Sequence, residues 1–152
     1  QHFAAYRFDL LANTLYEFVW HEYCDWYLEL SKPVLYDDQA LSAMKRGTRG
    51  TLIHVLDQIL KLLHPLMPFI TEEIWQRTIK VMGENGETLM LSKYPQADES
   101  LIDEAIEEEL DWLKKIVQSI RTIRSEMNVS PAKLIPLNLR NVSKTMQERV
   151  QK

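Results

Sequence analysis

"LIHVLDQILKLL", residues 52–63, is the stretch from which the fold class follows. Leu52, Val55, Leu56, Ile59, Leu60 and Leu63 keep the spacing i, i+3, i+4, i+7, i+8, i+11, which lines them along one face of an α-helix. His64-Pro65 ends the run, because a residue before proline is pushed out of the helical region. His64 is read there as a cap on the last carbonyls rather than as a metal ligand. An apolar stripe of this kind needs another element to cover it, so helix-on-helix packing is expected.

Upstream, Phe8, Leu11, Leu15, Phe18, Val19, Tyr23, Trp26 and Leu30 recur mostly three and four residues apart, predicting a first helix that stops at Lys32-Pro33. Six of the chain's fourteen aromatic rings crowd into residues 16–27, with Glu17, Glu22, Asp25 and Glu29 threaded among and just beyond them. Most of these rings lie on or beside the stripe and are expected in the core, with the acids on a solvated flank. Trp20 and Tyr27 fall off it, so each is expected to pack on a neighbouring helix or to face a partner. Residues 36–50 read as a polar connection broken by Gly47 and Gly50.

Downstream, Thr71 is the expected N-cap of a third helix, with Glu72 and Glu73 favoured in its first turn by the helix dipole. Its apolar face is Ile74, Trp75, Thr78, Ile79 and Met82. "GENGE" (83–87) reads as a loop and "TLMLSKYP" (88–95) as extended. A long fourth helix is expected over 100–128, burying Ile106, Leu110, Leu113, Val117, Ile120, Ile123 and Met127. "KLIPLNLRN" (133–141) alternates as a short strand does. The predicted architecture is mainly α: a helical bundle over 1–97, then residues 98–152 as a long helix and strand that begin a small α/β extension at the C-terminus.

No apolar run approaches the roughly 20 residues that cross a bilayer, so no membrane partner is expected. The single cysteine, Cys24, excludes an internal disulfide and suits a reducing compartment. Beginning at Gln1 without an initiator Met, the chain is read as a piece of something longer. The formal charge is −4, but residues 98–111 hold eight acids and no base, whereas 112–152 hold nine bases and two acids. The C-terminal third is therefore basic although the whole is acidic.

Chemistry is sparse. None of the four glycines lies in a phosphate-cradling pattern, and His21-x-x-Cys24 lacks the second pair that a zinc site needs. His21, Cys24 and Asp25 are sequence neighbours, yet packing explains them more simply than a nucleophile and its base. No catalytic and no metal-ligating residue is expected. One basic constellation stands out: Lys114, Arg121 and Arg124, seven and three residues apart, with Lys133 shortly after. It is expected on one side of the fourth helix, opposite much of the apolar row, either neutralising phosphates or simply solvated.

Three blocks, "RFDLLANTLYEFVWHEYCDWYLELSKP" (7–33), "LLHPLMPFITEEIWQ" (62–76) and "IRTIRSEMNVSPAK" (120–133), stand in order over nearly the whole chain. Together they resemble the anticodon-binding domain of the valyl-tRNA synthetases, which are class I aminoacyl-tRNA synthetases. The second and third blocks are shared in looser form by the isoleucyl and leucyl enzymes; "WHEYCDWYLE" (20–29) is the part that points to valine. The resemblance implies a helical bundle of the class Ia anticodon-binding type, its first helix truncated here. Catalytic and editing domains would precede it and a coiled coil would follow, just starting at Lys152.

It further implies a cytoplasmic, monomeric ligase that joins valine to its tRNA using ATP and Mg²⁺, with the ATP-binding motifs outside these residues. This chain would be its non-catalytic recognition module, with valine-accepting tRNA and the enzyme's own catalytic and editing domains as partners. Unpaired anticodon bases are read by stacking on rings or guanidinium planes and by hydrogen bonds to their edges. Arg7 and Phe8 are the first candidates for base contact, and Arg46 and Arg49, ahead of the second helix, the next. Lys114, Arg121, Arg124 and Lys133 would position phosphates. For Arg7 the competing reading is an ion pair with a nearby acid; for the whole chain it is the isoleucyl or leucyl counterpart, or a helical protein-interaction module.

Overall fold

The computed structural model describes residues 2–83 and 85–138. These residues are mainly helical and divide into two compact units, Gln1–Ala97 and Asp98–Lys152.

In the first unit, α1 (Phe8–Glu17) runs without a break into a π-helical segment (Phe18–Leu28) and on into α2 (Glu29–Tyr36). The π segment coincides with the ring-crowded stretch, and its i→i+5 ladder changes which side chains share a face. Consequently the expected stripe is only partly inside: Leu15 is buried and Leu11, Val19, Tyr23 and Trp26 are half-buried, but Phe8, Phe18 and Leu30 are exposed. Nor does the helix stop at Lys32. Pro33 sits inside α2, which continues to Tyr36, and the buried Ser31 hydroxyl donates to the Tyr27 carbonyl at 2.7 Å in the turn that the proline disturbs.

The next helix, α3 (Ser42–Leu63), starts well before the expected connection ends, so Gly47 and Gly50 are helical residues rather than breakers. A Cβ at either would meet nothing within 4 Å, so neither is demanded by a close approach. Glycine costs a helix only about 1 kcal/mol relative to alanine, and the tertiary packing of α3 outweighs that. α4 (Pro68–Met82) begins with proline at its first position, where the missing N–H is harmless, and ends at Gly83, whose φ of 72° is easy only for glycine.

Thr71 is thus not the N-cap. It lies within α4 at 1% exposure, its Oγ1 donating to the Met67 carbonyl at 2.8 Å and hydrogen-bonded to His64 Nδ1 at 2.8 Å. His64 therefore bonds a hydroxyl on the next helix rather than capping carbonyls with its ring.

α2 packs on α3, and α3 on α4. The core lies between the last two: Leu60, Trp75 and Ile79, closed by Leu89, with Leu56 packed against them. Leu89–Leu91, expected to be extended, form a short 3₁₀ turn. It is fixed by Glu72, whose Oε2 accepts from Thr88 Oγ1 and the Leu89 amide, each at 2.9 Å. Gly86 crosses close over the Trp75 indole; a Cβ there would fall 2.6 Å from the ring. The indole N–H donates at 3.0 Å to Asp57 Oδ1, and Lys61 holds the other oxygen at 2.5 Å. That arrangement satisfies a carboxylate buried at 3% exposure.

In the second unit, a 3₁₀ turn (Glu99–Leu101) precedes α5 (Glu104–Glu126). Asp103 caps α5, accepting from the amides of Ala105 and Ile106 at 3.1 and 3.2 Å. No residue of α5 is buried. Ile106, Leu110, Ile123 and Met127 are exposed, and Leu113, Val117 and Ile120 half-exposed, so the expected buried row is formed but uncovered. The expected strand is absent from residues 133–138, which make no ladder, and there is no strand among the described residues. Residues 139–141 of it, and the start of a coiled coil at Lys152, lie outside the described residues.

Candidate nucleic-acid interface

In the first unit, the turn preceding α1 gathers an aromatic and guanidinium cluster. Tyr6 N–H donates to the Phe3 carbonyl and Arg7 N–H to that of His2, at 3.1 and 3.0 Å, folding the chain back before the helix. Tyr6 takes a φ of 54°, an uncommon conformation for a side-chain-bearing residue, and its ring meets the edge of Phe8 with centroids 6.3 Å apart. Phe3 packs edge-on to Phe8 at 5.8 Å and tilts against Tyr94 at 6.3 Å. All four rings are exposed. A cluster of open ring faces is the kind of platform on which bases stack.

Arg7 forms a two-pronged pair with Asp9, Nε to Oδ1 at 2.9 Å and Nη2 to Oδ2 at 2.7 Å. The contact raises the guanidinium above its already high pKa, and it holds the Asp9 carboxyl below the usual range, assisted by the Leu10 amide. The ion-pair reading of Arg7 is therefore realised, although its side chain remains more than half exposed. Phe3, Tyr6 and Tyr94 were not singled out by the sequence. Tyr6 was legible as the neighbour of Arg7-Phe8; Tyr94 carries no local signal, because only the tertiary fold brings it to Phe3.

Arg46 and Arg49 lie on the exposed first part of α3, inside the helix rather than ahead of it. Their side chains form no ion pair or hydrogen bond with a described residue. Three residues apart, they project on one side of the helix. No ring contact or ionic contact joins them to Phe8 among the described residues.

In the second unit, helical turning at about 100° per residue brings Lys114 and Arg121 nearly into line. They flank the apolar row instead of opposing it, and Arg124, four residues after Ile120 and seven after Val117, falls within it. Lys114 is half-buried and Arg121 exposed. Arg124 is occupied in part by backbone: Nη1 donates to the Ser130 carbonyl at 2.9 Å and Nη2 to that of Lys133 at 3.0 Å, tying down the turn after α5. The Lys133 ammonium is left on the exposed side of that turn.

The remaining polar candidates behave structurally. His21 lies between Glu17 and Asp25, and Cys24 is half-buried. Burial pushes the Tyr23 phenol up, and its hydroxyl donates to the Leu52 carbonyl at 2.9 Å, pinning the π segment to α3. Among the described residues no three His, Cys, Asp or Glu side chains are placed to hold a metal ion, and no helix is long and apolar enough to cross a membrane.

Open rings beside a guanidinium, with surface arginines on a helical scaffold, are the ingredients of a single-stranded RNA reader. A family model described as the anticodon-binding domain of tRNA ligase matches residues 1–139, and the chain belongs to that family. Among curated relatives, it is similar to a valine–tRNA ligase of Legionella pneumophila (strain Paris), 75% identical over 151 residues. That match covers 99% of this chain and 16% of the relative. A valine–tRNA ligase of Coxiella burnetii is 52% identical over 132 residues, 87% of this chain and 14% of its own. The chain thus spans less than a fifth of the length of the relatives it matches.

Proposed function

We propose that this chain recognises the anticodon loop of a valine-accepting tRNA as the non-catalytic anticodon-binding part of a valine–tRNA ligase. The observation that carries the reading is the exposed cluster of Phe3, Tyr6, Arg7, Phe8 and Tyr94 in a chain of this family. Valine is favoured over isoleucine and leucine because the relatives at 75% and 52% identity bear that name.

Bases splayed from the loop stack on Phe8 and its neighbouring rings and on the face of the Arg7 guanidinium, while Arg46 and Arg49 meet the loop from α3. Lys114, Arg121 and Lys133 attract phosphates in the second unit, and Arg124 chiefly holds the turn that presents Lys133. ATP and Mg²⁺ serve the chemical step of the whole ligase. The cytoplasm is the compartment, the enzyme's catalytic and editing domains are the partners within the polypeptide, and the ligase works as a monomer.

The test is binding of the 152-residue chain to valine tRNA, titrated against salt and repeated with the anticodon loop exchanged. Binding that weakens with salt and falls on anticodon exchange is expected. Equal affinity for every anticodon would overturn the reading.

A further inference from the structure

The aromatic helix bears a second surface that RNA reading leaves unused. Tyr16 and Trp20, one turn apart, lie parallel, with ring centroids 6.3 Å apart and planes within 5°. Both project into solvent, at 58% and 52% exposure, and neither the Tyr16 hydroxyl nor the Trp20 indole N–H bonds to a described residue. Beside them runs an ionic row. His21 lies 3.6 Å from Glu17 and 3.3 Å from Asp25, and its ring meets Tyr16 edge-on at 6.4 Å. From Phe8 to Ser31 the sequence contains five acids and no lysine or arginine.

Two large rings held side by side and open to water offer a flat apolar surface for a partner. The charge says what kind of surface. Phosphates are repelled where Glu17, Glu22 and Asp25 stand with no lysine or arginine between Phe8 and Ser31, so this side does not favour the RNA backbone. The negative faces of the two rings and the flanking carboxylates instead suit a cation. A guanidinium fits both features at once, because its plane lies flat on an indole while its edge donates to a carboxylate in a two-pronged bond. An ammonium is more strongly hydrated and lacks the flat face.

We propose that Tyr16, Trp20, Glu17 and Asp25 form a docking surface for an arginine-bearing protein segment, distinct from the residues that meet RNA.

The probe is a nona-arginine peptide added to the 152-residue chain, with the Trp20 indole N–H followed by two-dimensional NMR. Nona-lysine and a single-stranded RNA oligonucleotide serve as comparisons. Nona-arginine is expected to shift the Trp20 signal, to bind more tightly than nona-lysine and to weaken with salt. The Glu17→Gln/Asp25→Asn double variant and Trp20→Ala are each expected to lower the affinity about three- to tenfold. Both alter exposed side chains, and an unchanged thermal midpoint verifies that the fold persists. An undisturbed Trp20 signal, unaltered affinity in the double variant, or peptide contacts confined to residues 98–111 would each overturn the proposal. So would a Trp20 shift caused by the RNA oligonucleotide, which would assign the surface to RNA. Anticodon preference of tRNA binding is measured separately, so this surface and the RNA-reading surface stand or fall independently.

Discussion

Arg7 and Asp9 face each other at the first turn of α1, with both prongs of the guanidinium on the carboxylate at 2.9 and 2.7 Å. The pair ties up one edge of the Arg7 guanidinium, and on the proposed reading it also sets a negative charge beside the RNA-reading residues. Asp9→Asn removes that charge and releases the guanidinium edge. It is expected to tighten tRNA binding about two- to fivefold at low salt, with the gain fading as salt rises. A filter-binding titration at two salt concentrations measures it, and weaker binding would mean that Asp9 serves RNA by orienting Arg7.

Asp57 is the polar centre of the α3–α4 core. Its two oxygens are occupied by the Trp75 indole N–H and by Lys61. Asp57→Ala leaves the buried indole N–H unpaired, and a loss of about 3 kcal/mol in unfolding free energy is expected. Denaturant titration reads this directly. A loss below about 1 kcal/mol would mean that water replaces the carboxylate.

Gly50 is a helix residue with open space where its Cβ would be. Gly50→Ala should therefore stabilise α3 by about 0.5–1 kcal/mol. The denaturant midpoint is expected to rise with no change in tRNA affinity, and a fall would place a break in the helix at this point.

Glu72 couples the fold to acid. Its partial burial opposes ionisation, but hydrogen bonds from Gln76, Thr88 and the Leu89 amide win and hold its pKa below the ordinary value. A carboxylate depressed in the folded state contributes stability above its unfolded pKa of about 4.3, and that contribution is lost as pH falls through the folded value. Comparing denaturant midpoints from pH 6 down to pH 3, the wild-type chain is expected to lose more stability than Glu72→Gln. Parallel profiles would show that the bonds to Thr88 and Leu89 do not depend on charge.

Arg124 serves the backbone after α5. Removing it in Arg124→Ala frees the carbonyls of Ser130 and Lys133. Faster amide exchange at Lys133, whose N–H bonds the Ser130 carbonyl at 3.0 Å, is the expected result. The salt slope of tRNA binding should change little. A slope reduced by about one would show instead that Arg124 neutralises a phosphate.

Periodicity by itself determined that this chain is helical and where its main apolar faces run. The stripe from Leu52 to Leu63 is a local property: 3.6 residues per turn and six aliphatic side chains suffice to draw it. The candidate pair was chosen in the same way, since Arg7 next to Phe8 is visible in the bare string. Tertiary structure alone decided which faces are covered. The row on α5 has the same spacing as that on α3 and is not buried, because burial depends on a second surface that spacing does not supply. It alone carried α2 through Pro33 and α3 through Gly47 and Gly50, where packing outweighs weak local preferences. It brought Tyr94 to Phe3 and closed Arg7 on Asp9. Those contacts hang on the path of the backbone between residues, and no window of sequence contains that path.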